Sequence, residues 1–243
     1  LWQWKPSGAI SYGNVWNNAN GPRLAPDFQA TAAVAAGGLV WFASHDGVIR
    51  CAQANSGKEV WTFATGNMLF APPTIWEGRL LAGGGDGRIY CLDATTGQLL
   101  WRFAAAPHDR RIFWFGHLIS TWPVVSGVIV QDVMAYAIAG YHKGNGIHAY
   151  ALNPKTGQIA WEKDNAGTDP WTGLGGLGHC AVAEGRMWLT SSPSGFFDLK
   201  TGDWKVLGGY QFGCEIGVLD KWVFQGGRRL SETQDTLNFP FQR

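Results

Sequence analysis

The sequence predicts an all-β fold assembled from repeated four-stranded antiparallel blades, and three observations predict it. A short motif recurs along the chain. Its tryptophans recur with it, at positions 61, 101, 161 and 204, which are 40, 60 and 43 residues apart. The composition is heavy in glycine, 34 of 243 residues, and in tryptophan, 14 residues. Glycine accepts the positive φ of tight hairpins and tryptophan fills the space between sheets, so together they suit many short strands joined closely. Glycine does not fall at every third position, which excludes a collagen-like chain, and 14% aromatic content excludes a disordered one.

The motif justifies each strand in turn. Asp46-Gly47-Val48-Ile49-Arg50-Cys51 precedes Ser56-Gly57-Lys58 and Trp61, and Asp86-Gly87-Arg88-Ile89-Tyr90-Cys91 precedes Thr96-Gly97-Gln98 and Trp101. Asn145-Gly146 with Thr156-Gly157-Gln158 and Trp161 is a third copy, and Ser194-Gly195 with Thr201-Gly202-Asp203 and Trp204 a worn fourth. In the second copy the apolar stretch Ala71–Trp76 reads as an innermost strand A and Arg79–Gly83 as strand B. Asp86-Gly87 then makes a hairpin, Arg88–Asp93 alternates as strand C, and Leu99–Phe103 follows Thr96-Gly97 as strand D. A four-strand unit of ~40–45 residues is the period of WD40-like and other propeller blades, and such a unit must stack because one blade cannot bury both its faces.

The reading is one β-propeller domain or fragment over residues 1–243, with blades near 28–63, 70–104, 118–163 and 178–206. Partial blades fall at 1–5, where Leu1-Trp2-Gln3-Trp4 matches a strand D, and at 212–226. Residues 225–243 show no blade pattern and read as a linker or contact arm. The chain does not begin with methionine, which reads as a chain cut from a precursor or as a piece of a longer one.

The A-x-[DN]-x-x-[ST]-G-[KQ]-x-x-W frame resembles the pyrroloquinoline-quinone-like (PQQ-like), quinoprotein/BamB-like propeller repeat over roughly residues 30–225. That resemblance implies a ring of about seven or eight blades, of which this chain would supply half to two-thirds. A small closed ring and one segment of a longer protein are the alternatives. It also implies an extracytoplasmic, bacterial-type location, periplasmic or secreted. The quinoprotein members hold their cofactor beside a disulfide of adjacent cysteines. No two of Cys51, Cys91, Cys180 and Cys214 are neighbours here, and the members' Glu/Asn/Asp calcium set finds no matching positions. No cofactor is therefore expected.

Function is expected on one face. The A–B and C–D connections are short, while the long ones join D to the next A (104–118, 163–178) or B to C (44–47, 140–146). In an antiparallel blade those two connection types share a face, and long loops on a rigid scaffold are where function collects. His45, His108, His117, His142 and His179 all map there, leaving only His148 on a strand. Histidines also favour exposed loops, which is the plain reading of that grouping. The candidates for proton transfer are His117, Tyr141, His142, His179 and Arg111, since a His–Tyr pair with an arginine can abstract a proton beside a carboxylate. His117 and His179 are placed near the start of inner strands, pointing to the axis. His45, Arg110, Trp114, Lys143, Trp171 and Tyr210 are the candidates for holding a ligand or partner, and Phe113 and Phe115 add aromatic contact surface.

Three readings of this face stand in order. The first is a non-catalytic scaffold or binding module for a protein or a glycan. The second is a lyase-type polysaccharide-degrading enzyme with Arg110 or Arg111 on the substrate carboxylate, and the third is a quinoprotein oxidoreductase. A metal at His117, His142 and His179 lacks supporting spacing. Gly173–Gly178 fits G-x-G-x-x-G without the strand and helix that a dinucleotide needs, and Asp46-Gly47 and Asp86-Gly87 read as hairpins rather than calcium loops. A net charge of +1 makes no demand for nucleic acid, and no apolar run approaches the ~18 residues of a membrane-spanning helix. The expected partners are a protein or the remainder of the same ring. Cys51 and Cys91 read as core thiols, whereas Cys180 and Cys214 could form a bridge only if their Cα atoms came within ~7 Å.

Overall fold

The computed structural model describes residue 2 and residues 30–114, 117–140, 145–165, 180–189, 195–206, 215–219, 222–226 and 237–240. The first blade is β1 (Val34–Ala36), β2 (Leu39–Ala43), β3 (Val48–Gln53) and β4 (Glu59–Ala64), in that order across the sheet. The second is β5 (Thr74–Trp76), β6 (Arg79–Gly83), β7 (Arg88–Asp93) and β8 (Leu99–Ala104). A separate two-stranded hairpin follows, β9 (Arg111–Trp114) with β10 (His117–Ser120). The third blade is β11 (Val128–Gln131), β12 (Met134–Ala139), β13 (Ile147–Leu152) and β14 (Ile159–Asn165). The fourth is β15 (Cys180–Ala183), β16 (Arg186–Leu189), β17 (Gly195–Asp198) and β18 (Trp204–Val206), and a three-stranded sheet ends the series with β19 (Glu215–Leu219), β20 (Trp222–Gly226) and β21 (Leu237–Pro240). All neighbours pair antiparallel, and the innermost strands β5, β11, β15 and β19 lie against one another in succession.

The turn chemistry of the motif is visible at the C–D turns of the second, third and fourth blades. Asp93 Oδ1 accepts from the backbone N–H of Thr95 and Thr96, Asn153 Oδ1 from Lys155 and Thr156, and Asp198 Oδ1 from Lys200 and Thr201. A short polar side chain that captures its own downstream backbone in this way starts a turn without help from the rest of the fold. The following strand D carries a bulge at the same place in three blades, between Cys51 and Ala52, Cys91 and Leu92, and Ala151 and Leu152 on the partner strand. The bulge falls just before Trp61, Trp101 and Trp161 and turns each ring out of its own sheet.

Those rings join the blades. Trp2, Trp61, Trp101 and Trp161 donate Nε1–H to the carbonyls of Ala54, Ala94, Pro154 and Leu199, at 2.8, 3.1, 3.1 and 2.8 Å. Each acceptor lies in the C–D turn of the next blade, so one motif position reads the next copy of another. Trp41 Nε1 shares the Ala94 acceptor at 2.8 Å. Among the described residues Trp204 Nε1, the next in the series, is buried without a hydrogen-bond partner. The core accordingly sits between blades rather than within them. Leu81, Ile89 and Cys91 pack with Val128, Ala137 and Leu152 across the second and third blades, and Trp41, Ile49 and Cys51 pack with Leu80 and Leu92 across the first and second.

Three sequence expectations are corrected. The stretch 104–118 is not simply a loop, and the third blade does not start at 118: its innermost strand is β11, and the segment before it forms the β9–β10 hairpin. Arg111–Trp114 and His117–Ser120 alternate around two residues, with Ile119 fully buried on the inner side. This pattern has no copy in the other blades, so the repeat could not reveal it. The tail is not bare linker either, because β21 pairs with β20 as a third strand. Cys51, Cys91 and Cys180 are free thiols, so the considered bridge from Cys180 is not formed; Cys214 lies outside the described residues.

Candidate functional site

The face carrying the D–A and B–C connections holds two aromatic groups, each with histidines at its edge. The first is built on Phe70, between the first and second blades. His45, in the β2–β3 turn, packs its ring 5.6 Å from Phe70, and Trp114 of β9 meets Phe70 edge-on at 5.4 Å. Trp114 pairs in register with His117 of β10, and His117 is close enough to His45 to act on its charge. Burial, and then the His117 imidazole, hold His45 below the ordinary histidine value of 6.5, with Asp46 opposing. A neutral His45 is the form this setting favours near neutral pH.

The second group surrounds Trp122. The Arg110 guanidinium lies 5.3 Å from its ring centre, with His108 at 5.8 Å and His148 at 6.1 Å, both edge-on. Trp122 donates Nε1–H to the Asn145 carbonyl at 2.7 Å. Arg110 donates to Asn145 Oδ1 at 2.5 Å and to Thr121 Oγ1 at 3.3 Å. His148 Nδ1 lies 3.7 Å from Asp164 Oδ1, across the β13–β14 pair. Burial lowers the His148 pKa, and the nearby Asp164 and Glu162 only partly offset it.

The sequence candidates are thereby sorted. His45, Trp114 and His117 come together around Phe70, while Arg110 joins the Trp122 group. His117 sits on the hairpin and not at the start of an inner strand, which corrects its expected place. Arg111 turns to the opposite face of the hairpin from His117, because residues 111 and 113 alternate with 112 and 114, and 117 pairs with 114. There it is exposed and meets Asp109 at 3.4 Å. Tyr141, His142, Lys143, Trp171, His179 and Tyr210 lie outside the described residues, as does Phe115. Sequence reasoning missed Phe70 and Trp122, the residues that organise both groups. Each precedes or follows a strand at a non-repeating position, and only its contacts mark it. It also set His148 aside as a strand residue, although two positions after Asn145-Gly146 a strand C residue is still at the loop end.

Other groups are spoken for. Asp46 accepts from the Val48 amide at 3.0 Å and from Arg50 at 2.6 Å, and Asp86 from the Arg88 amide at 3.2 Å and from Tyr90 Oη at 2.5 Å. These are hairpin roles, as the sequence suggested. Burial pushes the Cys51 thiol to about 11 and the Cys91 thiol to about 12, out of reach of nucleophilic use. Among the described residues no three His, Cys, Asp or Glu side chains converge as a metal site would require, and no helix is long and apolar enough to cross a membrane.

Comparison with known proteins adds a family. The family model described as outer membrane protein assembly factor BamB matches residues 9–170. The quinoprotein ethanol dehydrogenase of Pseudomonas aeruginosa is 38% identical over 63 residues, 26% of this chain and 10% of that protein. Among solved structures, BamB from Moraxella catarrhalis is similar with a TM-score of 0.55 and 16% identity, covering 77% of this chain and 51% of that one. A quinohemoprotein alcohol dehydrogenase from Pseudomonas putida HK5 is similar with a TM-score of 0.62 and 14% identity, covering 80% of this chain and 38% of that one. At these identities the structural likeness is one of fold. The chain thus spans about half the length of the BamB structure and a tenth of the curated dehydrogenase.

Proposed function

The chain belongs to the PQQ-like propeller family described by the outer membrane protein assembly factor BamB, and from that membership we propose that it is a non-catalytic scaffold holding a protein partner on its loop-bearing face. One contrast carries this reading. Among the described residues of that face, Arg110 is engaged by Asn145 and Thr121 and His148 by Asp164, whereas the most exposed large hydrophobic side chain is Phe113, at 75%. A proton-transfer site keeps its titratable groups turned toward a substrate, and a contact surface presents aromatics to a partner.

The family description, an outer-membrane assembly factor, supports an extracytoplasmic, periplasmic place of work. Coverage of half the BamB structure supports a place within a larger ring of about seven or eight blades. The local match to a quinoprotein dehydrogenase favours a second reading, oxidoreduction with a quinone. The described residues do not fit that cofactor. Cys51 and Cys91 are buried thiols one blade apart, and no acidic set converges.

Photo-cross-linking in the native cell tests the proposal. A cross-linking residue at the exposed His108, on the loop-bearing face, is expected to give a discrete protein adduct, and one at Thr95, in a C–D turn on the other face, is not. Adducts from Thr95 alone, or quinone-dependent alcohol turnover by the purified full-length protein, would overturn it.

A further inference from the structure

The β9–β10 hairpin stands apart from the blades, and its hydrogen bonds are one-sided. Thr121 N–H donates to the Arg110 carbonyl at 2.8 Å, which makes residues 110 and 121 a bonded pair. Bonded and non-bonded pairs alternate along an antiparallel ladder. The pairs Arg111–Ser120 and Phe113–Leu118 are therefore non-bonded, and their backbone groups point away from the hairpin's own ladder. On the β10 side they have partners: Ser120 N–H donates to the Gly85 carbonyl at 2.8 Å, and the Leu118 carbonyl accepts from Asn67 Nδ2 at 2.6 Å. On the β9 side, among the described residues, no hydrogen bond engages the outward N–H and C=O of Arg111 or Phe113.

The side chains on this edge are equally open. Phe113 is 75% exposed and its cross-strand neighbour Leu118 54% exposed, on the same face as the exposed Arg111. Side chains are closest in a non-bonded pair, so Phe113 and Leu118 form one apolar patch. The inner face holds this edge rigid through buried Ile119 and the Trp114–Phe70 contact. The outermost strands of the blades are edges too. They are less open, with Val60 and Leu100 at 44% and 45%, and charges such as Glu59, Arg102 and Glu162 interrupt them in the manner that discourages pairing.

A row of unpaired N–H and C=O groups at strand spacing is matched by one kind of ligand, another extended backbone. Resting on the scaffold reading above, we propose that the outer edge of β9 takes an extended strand of the protein partner. That strand sets an apolar side chain over Phe113 and Leu118, and two residues away a carboxylate against Arg111. Asp109, 84% exposed, is a weakly held competitor for Arg111 that such a carboxylate displaces.

The test uses the full-length protein and a synthetic peptide, Thr-Val-Thr-Glu-Thr-Val, whose valine and glutamate meet those requirements. Amide hydrogen exchange is read with and without peptide. Slowing of at least about tenfold is expected at the amides of Arg111 and Phe113, the two that the peptide would cover. Arg111→Pro removes an outward N–H without touching the hairpin's ladder, and Arg111→Ala keeps it. Peptide binding is expected to be at least about tenfold weaker for the proline variant than for the alanine variant. Unchanged exchange at both amides, equal binding by the two variants, or no binding at about 1 mM peptide would each sink the strand-edge inference. If Arg111→Pro disturbs the protected amides of Ile112 and Trp114, the exchange experiment on the unaltered chain decides alone. A native cross-link from His108 with no slowing at the edge rejects this inference and keeps the scaffold, while the absence of both rejects both.

Discussion

Gly97 shows how much one residue type can be asked to do. Its φ of +74° is one that residues with a side chain rarely adopt, and a Cβ there would stand 2.6 Å from the Trp61 ring of the preceding blade. Gly78 has nearly the same φ, +73°, with nothing within 4 Å of a built Cβ. Gly78→Ala is therefore expected to cost about 1 kcal/mol, from backbone strain alone, and Gly97→Ala about 2–4 kcal/mol because overpacking adds to it. Denaturant unfolding of the two variants checks the difference, and equal costs would mean that the Trp61 ring simply moves aside. His45 makes a second prediction at this scale. Its folded pKa lies below 6.5, so beneath that value the unfolded chain binds more protons and stability falls as pH drops. His148 shifts the same way. The melting temperature is expected to fall between about pH 7.5 and about pH 5.5, and His45→Gln to flatten part of that slope.

Strands and turns act through pairs of such residues. The C–D turn of one blade offers a carbonyl and a bare glycine, and strand D of the preceding blade supplies the tryptophan that uses both. Trp101→Phe keeps an aromatic ring but a smaller one, and loses the N–H to Pro154; it is expected to cost about 1–3 kcal/mol by chemical denaturation. Trp41 and Trp61 share the Ala94 carbonyl, so Trp41→Phe and Trp61→Phe are expected to be non-additive in a double-mutant cycle. The β9–β10 hairpin depends on a different support. Ile119→Ala, at a site 1% exposed, should cost about 2–4 kcal/mol and speed exchange at Ile112 and Trp114 before it affects the blades.

Across the whole molecule, burial between blades makes each blade a neighbour-dependent unit. Trp61 couples the first blade to the second and Trp161 the third to the fourth, with no shared partner. Their phenylalanine variants should therefore add within about 0.5 kcal/mol, in contrast to the Trp41–Trp61 pair. The same stacking gathers the connections of separate blades onto one face. His45 of the first blade meets Phe70, which leads into the second, and Phe70 in turn meets Trp114 of the hairpin. No single blade could build that group.

The blades themselves were legible in the residues. Asp and Asn turn starters, glycines at positive φ and the recurring tryptophans act locally or between identical copies, and repetition multiplies a local signal until it can be read. Sequence also placed His45, Arg110, Trp114 and His117 on the face of the D–A and B–C connections, because strand order alone decides which connections share a side. Tertiary structure decided the rest. The hairpin at 111–120 occurs once, so no repeat announced it. Phe70 and Trp122 became centres only through contacts with residues tens of positions away. Arg111 parted from His117 because a two-residue hairpin sends alternate side chains to opposite faces. Which backbone edge stays unpaired is likewise a matter of register and of what packs beside it, and neither quantity is written in any one segment of the chain.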